Sequence, residues 1–269
     1  MDLLIFRHTV SENYTYAIKP GRSKPMSRLR ILIACEESQR VCSEFRKLGH
    51  EAYSCDIQEP SGEHPEWHIQ SDVTKLLKPN DIGFTEFRTM DGKIHYFNGK
   101  FDLMICHPPC IYLTNCATRS HSLRCTPLEK INERTSKRIE AMEFFMNFVN
   151  ADCDHIAIEN PVGVMNTCYR KADQIIEPYQ FAESTEDTDN YVTKLTCLWL
   201  KGLPLLSIND LPKPDNEALY GRHPSGKVRC WEEMQVGGKD RAKNRSKTFP
   251  GIAKAMATQW SEYLIGEKI

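Results

Sequence analysis

No apolar run in the 269 residues approaches the roughly 18 needed to cross a bilayer, so no membrane partner is expected. The first 28 residues carry only a brief apolar run, Leu3 to Phe6, cut by Arg7 and His8. That is too short for the apolar region of a secretory signal, and residues 1–28 read as an extension without an assigned role. Net charge is also nearly missing: 35 Lys and Arg stand against 36 Asp and Glu. No global field therefore pulls the chain toward nucleic acid, and any such binding needs local patches. The sequence has 11 cysteines but no Cys-x-x-Cys pair. A scattered, odd-numbered set argues against a disulfide framework and against a standard structural zinc site, and it makes a reducing cytoplasm the expected compartment. Repeats and low-complexity segments are absent, and nothing identifies a protein partner. What remains, at 40% hydrophobic and 26% charged residues, is the composition of one large globular domain with at most a small appendage.

The chain is organised around Phe101-Asp-Leu-Met-Ile-Cys-His-Pro-Pro-Cys110. Leu103 to Cys106 reads as a short buried strand, stopped where two prolines remove backbone donors. Cys110 then stands at the carboxyl end of that strand, the edge where open α/β sheets collect ligands and chemistry. It is a candidate nucleophile; the plain alternative is one more small buried hydrophobe.

Before it, Ile31-Leu-Ile-Ala34 is a buried strand, and Cys35 to Gln39 its turn. Val41, Phe45 and Leu48 recur at helical spacing, and Gly49 is placed to end that helix. Ala52 to Cys55 is a second strand ending in Asp56. This β-α-β unit puts an acidic residue about 20 residues past the first turn, where a carboxylate commonly accepts from two ribose hydroxyls. The plain alternative for Asp56 is a turn residue. Asp72 closes a third strand or caps a helix. Residues 84–100 alternate around Asp91-Gly92, which predicts an inserted hairpin with a type I′ turn.

After Cys110 comes a polar stretch of about 25 residues carrying Thr114, Arg119, Arg124, Lys130, Arg134 and Lys137. It is expected to be loop, either a solvated face or a phosphate-binding lid. The helical period resumes at Ile139. Ile156-Ala-Ile158 is another strand, ending in Glu159-Asn160-Pro161, so Glu159 shares the sheet edge of Cys110. Residues 203–247 are expected to be mostly irregular. They contain a basic run with Lys239, Arg241, Lys243 and Arg245, which is either a solvated loop or a nucleic-acid contact. Phe249 to Trp260 is a closing helix with Pro250 in its first turn.

In this order the residues resemble the DNA cytosine-C5 methyltransferase family, over about residues 30–200 and 245–260. His107-Pro-Pro-Cys110 with Thr114 is similar to its Pro-Pro-Cys motif, and Glu159-Asn160-Pro161 to its Glu-Asn block; these two are the specific part. The resemblance implies a Rossmann-like, S-adenosylmethionine-dependent methyltransferase fold with a mostly parallel sheet and helices on both faces. Its implied catalytic core spans 29–202, residues 203–244 stand in place of a target-recognition domain, and 245–269 return to the core. The implied cofactor is S-adenosylmethionine, held by Ala34, Cys35, Glu36, Glu37, Ser38, Asp56, Ile57, Asp72, Val73, His107 and Pro108. The implied partner is DNA, most simply double-stranded, touched by Thr114, Arg119, Arg124, Lys239, Arg241 and Lys243.

The resemblance further implies that Cys110 attacks C6 of a flipped cytosine, that Glu159 handles a proton at ring N3, and that Asn160 orients Glu159 or the base. The family's Gln-x-Arg-x-Arg block is missing, and Lys194 is its nearest substitute. Two departures stand out. The cofactor loop has no glycine, so Glu36 or Glu37 is a candidate partner for the methionine ammonium. His107 replaces a glycine. Only about 45 residues stand where the family reads sequence, a layout shared with compact phage and prophage members. The alternatives are the same thiol chemistry on another donor, a nucleotide or RNA, and a non-catalytic binding protein on this fold. A metal site from Cys106, His107, Cys110 and Cys116 matches no standard spacing.

Overall fold

The computed structural model describes residues 28–115, 122–235 and 241–267. The first half-sheet follows the sequence. Strand β1 (Arg30–Ala34) leads through a tight turn into helix α1 (Arg40–Lys47) and β2 (Glu51–Asp56), and β3 (His68–Gln70) pairs beside β2. Gly49, at φ 85°, ends the α1 connection as expected. A two-stranded hairpin, β4 (Phe84–Arg88) and β5 (Ile94–Asn98), forms its own small sheet. Its turn differs from the expected type I′. The Thr89 amide donates to the Lys93 carbonyl at 3.0 Å and the Gly92 amide to the Thr89 carbonyl at 2.9 Å. Met90 to Gly92 is thus a three-residue loop with Gly92 alone at positive φ, 87°, the arrangement that places a bulge after a turn.

Strand β6 (Leu103–Cys106) runs parallel to β1, and β7 (Ile156–Pro161) parallel to β6. Between them lies α2 (Leu128–Val149), and after β7 come the short helix α3 (Met165–Cys168) and β8 (Gln174–Ile176). Strand β9 (Thr196–Lys201) inserts antiparallel between β7 and β8. The sheet order is β3-β2-β1-β6-β7-β9-β8, a mostly parallel, mixed seven-stranded sheet. Side chains alternate strictly. Leu32, Ala34, Met104, Cys106, Ile156 and Ile158 face a core that includes Phe145 and Phe148 of α2. Ile31, Ile33, Leu103, Ile105 and Ala157 face the other core, filled by Val41 and Phe45 of α1 and by Ile252, Met256 and Trp260 of α7 (Pro250–Glu267). Helices therefore cover both faces, as strands buried on two sides require.

One further expectation changes. Helix α2 starts at Leu128, not near Ile139, so the last part of the expected polar loop is helix; its first turns are mostly polar and exposed and carry no apolar period. Glu159 and Asn160 lie at the carboxyl end of β7, as expected, where β9 pairs with them through Leu198 and Cys197. The described part of residues 203–247 is mostly irregular, as expected, with the short helices α4 (Asn216–Tyr220), α5 (Trp231–Met234) and α6 (Arg241–Ser246). Among the described residues no helix is long and apolar enough to cross a membrane.

Candidate active site

Strand order reverses between β1 and β6: β2 and β3 continue to one side, β7 and its neighbours to the other. A crevice opens at such a switch point, beyond the carboxyl ends of the strands. Both halves of the candidate site lie along this edge.

On the β1 side the turn solves its lack of glycine directly. Cys35 and Gln39 each take φ 58°, the left-handed conformation that L side chains avoid by roughly 1–2 kcal/mol. Gln39, fully buried, is locked there: its amide donates to the His64 carbonyl at 2.8 Å, and its oxygen accepts from the His64 amide at 3.2 Å. Gly62 is needed against it, since a Cβ there would lie 2.3 Å from Gln39 Oε1. If backbone conformation rules at position 35, Cys35→Gly will be the more stable of two variants and Cys35→Val the less stable, by roughly 1–2 kcal/mol in denaturant unfolding. Equal stabilities, or a better valine, would mean that packing decides instead.

The acidic residues of this half have distinct tasks. Glu36 accepts from the Val41 and Cys42 amides at 2.6 and 3.2 Å, so its carboxylate caps α1 instead of facing a ligand ammonium. Glu37 is buried as well. Asp56 ends β2 and accepts from the Gln58 amide at 2.9 Å, which is the turn role. Asp72 caps the following helical turn, its Oδ1 accepting from the Thr74 amide at 2.9 Å. Those bonds to Thr74 hold its carboxyl below the usual range. Burial raises the Cys35 thiol, and the charges of Asp56, Cys55 and Asp72 raise it further. Ile57, beside Asp56, is 74% exposed, an apolar side chain held out at the edge. Ser38 is half-buried, whereas Ala34, Val73 and Pro108 are buried and offer a ligand little beyond backbone.

On the β6 side, the His107 amide continues the ladder by donating to the Ala34 carbonyl at 2.9 Å. Its ring crosses to the next strand, with Nδ1 3.1 Å from Glu159 Oε2. A carboxylate only accepts, so Nδ1–H donates. The two side chains are 9% and 20% exposed. Burial would raise the Glu159 carboxyl, but the His107 hydrogen bond and charge, with Lys194, outweigh it and hold it below the usual value. Asn160 donates to the Pro108 carbonyl at 2.7 Å. Its amide thus fixes the Pro-Pro-Cys turn, not Glu159, while its Oδ1 is buried with no hydrogen-bond partner.

Cys110 opens a tight turn, its carbonyl accepting from the Leu113 and Thr114 amides, both at 2.9 Å. Arg134 and Arg138 of α2 donate to the Ile111 and Tyr112 carbonyls at 3.3 and 2.9 Å. Thr114 bridges to Gly163, and the Val164 amide donates to the Leu113 carbonyl at 2.8 Å. Much of Cys110 is open to solvent. Atoms crowding its thiol raise its pKa, the Glu159 charge raises it further, and Lys194 and Arg245 oppose both. Lys194 is fixed by its Nζ donating to the Arg245 carbonyl at 2.8 Å, and it lies 5.7 and 5.6 Å from the rings of Trp231 and Phe249.

Cys110, Glu159, Asn160 and Lys194 are thus brought together, as are Cys35, Asp56 and Asp72. His107 as the partner of Glu159, and Gly163, were not legible as site residues, and Arg245 was legible only as part of the basic run, not as a neighbour of Cys110. Arg124 is exposed on the segment before α2. Arg119 and Lys239 lie outside the described residues, as do the side chains of Arg241 and Lys243. Among the described residues no group of three or more His, Cys, Asp or Glu is arranged to hold a metal ion. The chain matches no known family, and no curated protein matches it.

The signs of these charges give a measurable consequence. Glu159→Gln removes an anion that opposes ionisation of the thiol, so Cys110 should be alkylated faster near neutral pH. Lys194→Gln removes a favourable cation and should slow it. Iodoacetamide labelling, resolved by peptide mass mapping, reads both; unchanged rates in both variants would separate the thiol from this cluster.

Proposed function

We propose that this chain is a DNA cytosine-C5 methyltransferase on a Rossmann-like methyltransferase fold, with S-adenosylmethionine as the methyl donor. The observation that carries the reading is the joint position of Cys110 and Glu159 at the carboxyl edge of adjacent parallel strands, beside Lys194. A thiol and a carboxyl group placed together suit a ring that must be attacked at C6 and protonated at N3.

The residues fit the cofactor. Asp56 at the end of β2 suits the ribose hydroxyls, and exposed Ile57 beside it suits an adenine face. The left-handed backbone of Cys35 does what glycine does elsewhere, letting main chain approach a ligand. The buried, unpartnered Asn160 Oδ1 and His107 Nε2 are polar atoms awaiting a bound group. When bound, the cofactor supplies an electrophilic methyl group on sulfur. The chain's own work is to aim the thiol through the Asn160–Pro108 bond, to pass a proton to the ring at Glu159, and to enclose a base that has left its helix.

The Glu36 cap removes one of the two carboxylates expected for the ammonium end of the donor and leaves Glu37 alone, which favours the same chemistry with an altered donor as a second reading. Mass analysis of nucleosides from DNA of cells with and without this chain separates the two. The proposal expects 5-methylcytosine that depends on Cys110. A heavier C5 substituent favours the second reading, and unmodified DNA with modified RNA moves the acceptor.

A further inference from the structure

His107 stands where the resemblance implies glycine, and the proposed function leaves its Nδ1, the nitrogen that meets Glu159, without a part in the chemistry. Yet the ring is built into the site. Its main chain is pinned to β1, its Nδ1 reaches Glu159 across the strand gap at 3.1 Å, and its Nε2 is buried with no hydrogen-bond partner. The titratable and charged groups that face this pair come from each neighbouring element: Glu36 from the turn after β1, Cys110 from the turn after β6, Lys194 from the segment before β9, Cys197 from β9 itself, and Arg245, which acts on Cys110, from α6.

We propose that His107 is the proton reservoir of the site: it supplies through Glu159 the proton that cytosine N3 takes up when Cys110 adds to C6. The inference rests on the cytosine reading of the site and deepens it. In the addition, the Cys110 thiolate forms the S–C6 bond. The C5=C6 electron pair shifts to C4=C5, and the C4=N3 pair becomes a lone pair on N3. The His107 Nδ1 proton moves to the Glu159 carboxylate, and Glu159 passes it on to that lone pair, leaving a neutral imidazole and an ionised Glu159. Charge balances, since a thiolate and an imidazolium become a neutral adduct and a neutral ring. Elimination runs the same path backwards.

Two observations favour this over a space-filling ring. A carboxyl group held ionised cannot donate to N3 unless another group refills it, and the only hydrogen bond to the Glu159 carboxylate among the described residues comes from His107. The second imidazole nitrogen is buried with no hydrogen-bond partner, so among the described residues the ring's one polar side-chain contact is Glu159. His107 acts through Glu159, so it is a positioning residue and not a catalytic one.

The test uses cytosine tritiated at C5 in duplex DNA, without a methyl donor. Addition at C6 makes C5 exchange its hydrogen with water, and tritium release reads that step alone. Wild-type release should follow a bell in pH, its acid limb set by the Cys110 thiol and its alkaline limb by the His107–Glu159 pair. His107→Gln should lower release near neutral pH by about 10²-fold and move the alkaline limb toward acid, where Glu159 carries its own proton. In His107→Gly, added imidazole should restore release. Variants that bind DNA as the parent does but keep its pH profile, with no imidazole rescue, would overturn the reservoir and leave the cytosine reading standing. No release from the wild type at any pH would overturn the cytosine reading itself, and this inference with it.

Discussion

Cys110→Ala is expected to abolish transfer, and Cys110→Ser to lower it below detection. An oligonucleotide with fluorine at cytosine C5 reports this directly. Fluorine cannot leave as a proton does, so the adduct is trapped and shifts the protein band on a denaturing gel. The parent chain should give the shifted band and both variants none, because a serine hydroxyl is far less ionised than a thiol near neutral pH. Glu159→Gln should leave the band detectable but slow its appearance by roughly 10²–10⁴-fold, the usual worth of a positioned acid or base. The comparison is informative because the two residues affect each other. The Glu159 charge opposes ionisation of the thiol, and on the proposed function the same group serves the ring, so its loss should make Cys110 a better free nucleophile and a worse catalyst. Faster alkylation together with slower adduct formation in one variant is the signature of that double role. Full transfer activity in Cys110→Ala would end the nucleophile assignment.

The parts of the fold that were legible in sequence are those with a continuous local signal. Ile31–Ala34, Leu103–Cys106 and Ile156–Ile158 are apolar runs bounded by breakers, and all three are central parallel strands. The hairpin was legible from its alternation, though its turn was not. Asp91-Gly92 fits a two-residue turn in sequence as well as the three-residue loop that forms, and the choice depends on Asp91 Oδ1 accepting from Thr89 Oγ1 and the Lys93 amide. Helix α2 was misjudged at its start because its first turns bury nothing. They are held by arginines that bond carbonyls of the Cys110 turn, a long-range contact with no periodic trace. The edge strand β8 has three residues, too few to show any period.

The same division holds for the site. Cys110 and Glu159 were legible because strand ends can be read from sequence and reactive residues stood at two of them. The His107–Glu159 pairing spans 52 positions and follows from strand order, which no local pattern contains. The one available signal was a titratable ring directly before the prolines. Glu36 was misjudged because a carboxylate in a turn looks the same whether it caps the next helix or waits for a ligand. Only the Val41 and Cys42 amides decide between these.

Gly163→Ala is expected to be the most damaging substitution of a residue that performs no chemistry. A Cβ at this position would lie 2.1 Å from the Leu113 carbonyl oxygen and 2.9 Å from its carbon. Both are backbone atoms, so no side chain can swing away. Leu113 cannot retreat easily either: it is buried, its amide donates to the Cys110 carbonyl at 2.9 Å, and its carbonyl accepts from the Val164 amide at 2.8 Å. The methyl group must therefore push the Cys110 turn off the end of β7. Overpacking of this kind costs about 1–3 kcal/mol. The loss of activity should exceed what that figure predicts, since a thiol displaced by about an ångström loses on the order of 10²-fold in an oriented reaction. Cofactor binding should survive, because Asp56, Ile57 and Asp72 belong to the other half of the edge. Three measurements test this: a chemical unfolding midpoint, a calorimetric titration with the methyl donor, and the fluorocytosine band. The expected result is a lowered midpoint, near-normal titration and a nearly absent band. An intact band at normal rate would mean that the Thr114–Gly163 bridge does not set the position of Cys110, and the turn would have to be held by Asn160 and the two α2 arginines alone.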